Sequence, residues 1–96
     1  MYGTVARWRV KDGKQDELER LMQELTGDRM PGSRSVFVYK SDKDPQEYWV
    51  ASQWESRDVY QSNSSTPEQD ARYRRLRELM ERDPEWHDGE IIVSQT

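Results

Sequence analysis

Between Tyr2 and Val10 the chain alternates, with Tyr2, Thr4, Ala6, Trp8 and Val10 on one side and Gly3, Val5, Arg7 and Arg9 on the other. A two-residue period is that of a strand. Asp12-Gly13-Lys14-Gln15 then supplies a turn and a capping-box pattern. Leu18, Leu21, Met22 and Leu25 follow at helical spacing, with Gly27 where a helix C-terminus favours it. Pro31-Gly32 opens a second strand, Ser33 to Lys40. A polar turn, Ser41 to Gln46, joins it to the alternating run from Glu47 to Gln53 that ends at Trp54, and the pair reads as a hairpin.

A short helix is expected from about Ser56 to Asn63, broken by Ser64-Ser65-Thr66. Thr66-Pro67-Glu68-Gln69 restarts a helix, with a capping residue followed by proline at the first position. This last helix carries Tyr73, Leu76, Leu79 and Met80 as its apolar stripe, and spaces Arg74/Glu78 and Arg77/Glu81 as i, i+4 pairs on its wet side. Asp83-Pro84 ends it, and Trp86 to Ser94, centred on Ile91-Ile92-Val93, reads as the closing strand.

The order is therefore β-α-β-β-α-β, an α+β, ferredoxin-like split βαβ arrangement with one antiparallel sheet and helices on one face. The hairpin strands are apolar on both sides: Val36 and Val38 against Phe37 and Tyr39, and Tyr48 and Val50 against Trp49 and Ala51. Helices cover one face only, so a second copy of the chain is expected on the other, giving a homodimer through the open sheet face.

Length and composition sharpen this picture. A chain of 96 residues makes one domain, residues 1–96, and one of this size leaves much of its surface unburied. Charged residues, at 35%, outnumber hydrophobic ones, at 32%. That balance alone would suggest disorder, but four Trp, five Tyr and one Phe supply large buried areas and the apolar positions are patterned. A net charge of −4 gives no footprint for nucleic acid or an anionic membrane, despite the local cluster Arg72, Arg74, Arg75 and Arg77. No apolar stretch follows Met1, because Arg7, Arg9, Lys11 and Asp12 interrupt it, so a cytoplasmic protein is expected.

The chemistry is narrowed by what is missing. There is no cysteine, which excludes disulfides, thiolate catalysis and iron–sulfur ligation. There is one histidine, His87, read as a solvent-facing residue between Trp86 and Asp88. The five glycines are dispersed, so no phosphate loop is present, and neither a metal nor a cofactor is expected. What remains is an aromatic and amide set behind the hairpin: Trp54, Tyr60 six residues later and Asn63 one turn beyond. Tyr60 and Asn63, three apart on a helix, can face one cavity between helix and sheet. They can equally be two core aromatics and a helix C-terminal residue.

Pro31-Gly32, a strand, a turn, a strand ending in Trp54, and a helix with Tyr60 and Asn63 together resemble the antibiotic biosynthesis monooxygenase family of dimeric α/β barrels. The resemblance spans nearly the whole chain. It implies two sheets packed face to face, and Trp54-Glu55-Ser56 followed by Tyr60 looks like the cofactor-free branch that oxidises anthrone-type aromatic polyketides. In that branch a Trp and a Tyr at these places, with an Arg on the last helix, are proposed to hold the substrate's oxygens. The site expected from the resemblance is thus Trp54, Tyr60 and Arg74, chosen over Arg72 and Arg75, with Asn63, Val50 and Tyr73 at the substrate.

Such a protein would oxidise a small phenolic, anthrone-like or quinol-like molecule with dioxygen. An electron-rich substrate, once deprotonated, passes an electron to dioxygen itself, and the protein supplies position, dryness and electrostatic support. The sequence departs from the family where many members have a histidine, at Asn63 and near Glu68. The haem-degrading branch would need an Asn, a Trp and a His at about Ala6, Asn63 and Tyr73, none of which is present. The alternative reading is a dimeric, non-catalytic small-molecule-binding or stress-response protein on the same scaffold, with haem binding or degradation ranked behind both.

Overall fold

The computed structural model describes residues 1–27 and 30–95. Strand β1 (Tyr2–Arg9) leads to helix α1 (Gln15–Thr26), then β2 (Ser33–Lys40), β3 (Glu47–Trp54), α2 (Arg57–Ser64), α3 (Pro67–Arg77) and β4 (Glu85–Glu90). The four strands form one sheet in the order β2-β3-β1-β4, every neighbouring pair antiparallel. This is the expected ferredoxin-like fold, with the second helical segment divided into α2 and α3.

The alternation along β1 and β3 sets the core. Ala6, Trp8, Tyr48 and Val50 point under the helices and are buried with Leu18, Leu21 and Met22 of α1 and Leu76 of α3. Full burial of one such side chain contributes about 1.5–3 kcal/mol, so these few positions carry most of what holds the layers together. Tyr48 also clamps α1 to the sheet, its hydroxyl donating to Glu19 Oε2 at 2.6 Å. Glu19 is in turn held below the usual carboxylate range by that bond and by Lys40.

Several local expectations give way to tertiary contacts. The pattern Asp12 to Gln15 forms a side-chain clasp ahead of α1: Gly13 N–H donates to Gln15 Oε1, and Gln15 Nε2 donates to Asp12 Oδ1. Gly27 follows α1 in a right-handed conformation, with φ −66°, and makes no left-handed cap. The last helix stops at Arg77 because the segment behind it is captured by β1: Lys11 N–H donates to Leu79 C=O, and a single antiparallel bridge joins Val10 to Met80. Leu79 and Met80 are buried by that docking, not by continuing the helix. The helix end also redirects the ion pairs. Arg74 pairs with Asp70, Arg77 with Asp83, and Glu81 with Arg9.

The closing strand lies earlier than its apolar centre suggests. Glu90 pairs with Tyr2, the first residue of β1, and Ile91 N–H still donates to Met1 C=O at 2.9 Å, but Ile92 and Val93 run beyond the template that would pair them. Ile92 and Val93 are 86% and 82% exposed. On the sheet's helix-free face, Val5, Phe37 and Tyr39 are each 53% exposed and Trp49 is 38% exposed. Tyr39 stands opposite Trp49, and Ala51 stands opposite both Phe37 and Val5, so these side chains form one continuous patch. Among the described residues no helix is long and apolar enough to cross a membrane.

Candidate active site

Trp54 closes β3 on the helix side of the sheet and is 3% exposed. The chain then turns into α2, whose N-cap Ser56 accepts the Val59 N–H on its Oγ. This entry places Tyr60 over the end of the sheet. Its ring sits 5.6 Å from Trp54 in an edge-on arrangement and 5.5 Å from Tyr2, tilted by 46°. Edge-on aromatic contacts of this kind add about 0.5–1.5 kcal/mol beyond area burial.

The approach of α2 to the sheet depends on Gly32. This residue has φ +80°, and a Cβ there would lie 2.1 Å from Val59 Cγ1. Its carbonyl accepts the Glu55 N–H at 3.0 Å, tying the start of β2 to the turn before α2. The Pro31-Gly32 pair is thus part of the site's construction, one step removed from Tyr60.

The Tyr60 hydroxyl donates to Asp88 Oδ1 at 3.2 Å. Asp88 stands opposite Thr4 in the β1/β4 register, and Trp86 stands opposite Ala6. Burial first, then the Asp88 charge, push the Tyr60 phenol up to about 12, with a Thr4 hydrogen bond acting in the other direction. Tyr60 therefore keeps its proton at neutral pH and serves as a hydrogen-bond donor.

A second aromatic group adjoins the first along β1 and β4. Trp86 is 6.3 Å from Trp8 and 6.3 Å from Tyr73, the latter on α3. Burial, with Asp83 next, raises the Tyr73 phenol, while Arg77 lowers it. Among the described residues two buried polar side-chain atoms lack a hydrogen-bond partner, Trp8 Nε1 and Gln69 Oε1, and Gln69 is one helical turn before Tyr73.

The residues read from the sequence are only partly brought together. Trp54 and Tyr60 meet, but the Trp54 indole N–H is used internally, donating to Ser52 Oγ at 3.1 Å. Val50 is a core residue, 6% exposed and paired with Ala6. Tyr73 joins Trp86 instead of Tyr60. Asn63 contacts Met30 Sδ and lines a separate cleft of about 540 Å³ with Pro31, Val59 and Arg72, which neither Trp54 nor Tyr60 lines. Arg74 points to solvent, its side chain 77% exposed in a pair with Asp70, because α3 turns that position away from the sheet. Arg75 reaches Glu24 on α1. His87 is exposed beside Glu85, as expected.

Five neighbours of the site escaped the sequence reading: Tyr2, Thr4, Trp86, Asp88 and Gln69. The first two lie on the same alternating face as Trp8, which was a usable signal. Asp88 was hidden by the misplaced centre of the last strand. Among the described residues no group of three or more His, Cys, Asp or Glu side chains is arranged to hold a metal.

The model of the family described as antibiotic biosynthesis monooxygenase matches residues 1–76. The chain belongs to the antibiotic biosynthesis monooxygenase family. Solved structures of family members superpose over almost the whole chain. One from Chloroflexus aurantiacus J-10-fl is 26% identical, with a TM-score of 0.82, covering 99% of this chain and 96% of that one. One from Caulobacter crescentus CB15 is 20% identical, with a TM-score of 0.85 and coverage of 96% and 90%. A variant of SnoaB, a cofactor-independent oxygenase from Streptomyces nogalater, is 18% identical, with a TM-score of 0.85 and coverage of 97% and 94%. At these last two identities the likeness to the family's members is one of fold. A comparison with curated protein sequences finds no match.

Proposed function

We propose that this protein is a cofactor-independent monooxygenase that oxidises a small phenolic, anthrone-like or quinol-like molecule with dioxygen, working as a homodimer. The observation that carries the reading is the setting of Tyr60: a proton-bearing phenol held between Trp54 and Tyr2, with its hydroxyl at a carboxylate. A donor of that kind stabilises the negative charge that develops on the oxygen of a deprotonated anthrone or quinol. The aromatic rings offer flat faces on which a planar substrate would stack, and the family and the fold shared with SnoaB support the same chemistry.

Homodimerisation is supported by the open sheet face. Its aromatic patch of Phe37, Tyr39 and Trp49 is of the kind a second copy would cover, completing a barrel of two sheets.

A second reading, a dimeric small-molecule-binding protein without catalysis, is favoured by two placements. The Trp54 indole N–H is satisfied by Ser52, and Arg74 is out of reach of the aromatic layer. Oxygen uptake by the purified, metal-stripped protein separates the readings. With an anthrone or a dihydronaphthoquinone, uptake above the buffer rate that falls in Tyr60→Phe is the expected result. Tight binding of both compounds with no uptake would transfer the assignment to the binding protein.

A further inference from the structure

Cofactor-free oxygenation begins with loss of a proton from the substrate, and the residue that takes it has to reach the acidic C–H while a donor on the same side of the sheet holds the oxygen on which the charge settles. The single histidine of this chain does not meet that condition. His87 and Asp88 are adjacent in β4, so their side chains leave opposite faces of the sheet. His87 pairs with Glu85 on the helix-free side, whereas Asp88, itself exposed, faces Tyr60 on the other. Among the described residues, Asp88 is the carboxylate that accepts the Tyr60 hydroxyl. Thr4 stands directly opposite it in the register and Trp86 is two residues before it on the same face.

We propose that Asp88 is the catalytic base, with Tyr60 as the donor that receives the developing oxyanion. The inference rests on the oxygenase reading and deepens it by naming the proton acceptor. In the free protein the Tyr60 hydroxyl is satisfied by Asp88; with substrate bound it turns onto the substrate's carbonyl oxygen and releases the carboxylate. Asp88 then removes a proton from the activated methylene of an anthrone. The C–H electron pair moves into the ring system, and the carbonyl oxygen becomes an enolate oxygen hydrogen-bonded to Tyr60.

The enolate gives one electron to dioxygen, and the resulting superoxide and carbon radical combine to form a C–O bond. The peroxide takes the proton back from Asp88. Loss of the second C–H proton with cleavage of the O–O bond leaves a new carbonyl and one water. One dioxygen is consumed, one oxygen atom enters the product, and no external reductant is required. An aspartate base beside a tyrosine donor is a combination able to enolise a ketone, even though the carboxylate is a much weaker base than the enolate it creates.

Proton abstraction can be measured without oxygen. The test follows solvent deuterium entering the methylene of an anthrone under anaerobic conditions, by mass spectrometry. The wild-type protein is expected to accelerate exchange over buffer. Asp88→Asn should lower that rate by on the order of 10²- to 10⁴-fold, the usual worth of a positioned base. Asp88→Glu, which keeps a carboxylate, should recover part of it, and His87→Gln should match the wild type. Quenching of tryptophan fluorescence by an anthraquinone should be the same in Asp88→Asn as in the wild type, which shows the variant folded and its aromatic layer intact. No acceleration by the wild type, or equal exchange by Asp88→Asn, overturns the proposal. Exchange that depends on Asp88 without oxygen uptake in air sustains the base while removing the oxygenase reading. Uptake that is undiminished in Asp88→Asn does the reverse.

Discussion

The indole N–H of Trp54 donates to Ser52 Oγ at 3.1 Å, two residues back along the same buried face of β3. A neutral buried hydrogen bond contributes about 0.5–1.5 kcal/mol, and stranding either partner costs about 1–3 kcal/mol. In a double-mutant cycle of Trp54→Phe and Ser52→Ala, followed by urea unfolding, the double variant is expected to lose less stability than the two single losses added together. Strict additivity would mean that the bond contributes nothing.

Because the Trp54 N–H is engaged within buried β3 while the Tyr60 hydroxyl bonds at the exposed carboxylate of Asp88, the two should differ in catalysis. Tyr60→Phe is expected to lower kcat by about 10²–10³-fold with KM little changed, the signature of a lost oxyanion donor. Trp54→Phe should cost less in kcat and more in stability. Steady-state oxygen uptake on the two variants measures both, and a larger kcat loss for Trp54→Phe would reverse their roles.

Gly32 combines a left-handed φ of +80° with a Cβ position blocked by Val59. Gly32→Ala should destabilise the protein by about 1–3 kcal/mol from strain and overpacking. Adding Val59→Ala should relieve the clash but not the dihedral strain, so recovery is expected to be partial. Thermal unfolding of the three variants tests this, and full recovery would show that the backbone conformation carries no cost.

Stability should fall at both ends of the pH scale. Glu19 is held low by Tyr48 and Lys40, and Asp44 by the Gln46 backbone N–H and Arg9. Depressed carboxylates stabilise the fold above their unfolded values, and this contribution disappears as acid protonates them in the folded state. Tyr60 works in the opposite sense. Its contribution is complete below the ordinary tyrosine value of 10 and is lost as pH rises toward about 12, because the unfolded phenol ionises first. Urea midpoints between pH 3 and pH 11 should show both declines, with Tyr60→Phe making the alkaline limb shallower and leaving the part due to Tyr48 and Tyr73, which burial also raises.

Phe37→Glu and Tyr39→Glu place charges in the open-face patch without touching the core between sheet and helices. Each is expected to convert a dimer into a folded monomer in light scattering, with the far-ultraviolet circular dichroism retained. A wild-type monomer at micromolar concentration would remove the dimer from the proposal.

What was legible in the sequence follows from how local each cause is. Alternation from Tyr2 to Val10 and from Glu47 to Trp54 revealed strands because one face of each must be buried, and the two faces of the hairpin revealed the patch at Phe37 and Tyr39. The cap at Thr66 and Pro67 is also local and could be read directly. The end of α3 was not legible, since it depends on Val10 and Lys11, nearly seventy residues earlier, docking onto Leu79 and Met80. Nor was the frame of β4, because the apolar triplet Ile91-Ile92-Val93 carries the stronger pattern while β1 ends its template at Tyr2. That single displacement hid Asp88 and Trp86 from the site. Arg74 failed for a related reason, because α3 has only Leu76 buried and its stripe fixes its rotation weakly.

Strand β1 lies between β3 and β4, and one of its faces serves two purposes. Ala6 and Trp8 belong to the core, and Thr4 and Ala6 form the line along which Asp88 and Trp86 stand. Evolvability is therefore unevenly distributed over the molecule. A change on β1 alters packing and the Tyr60 site together, whereas the exposed turns of α2 around Tyr60 can vary at little cost to folding. Descendants of this chain with new substrates should differ first along that rim, with the central strand left as it is.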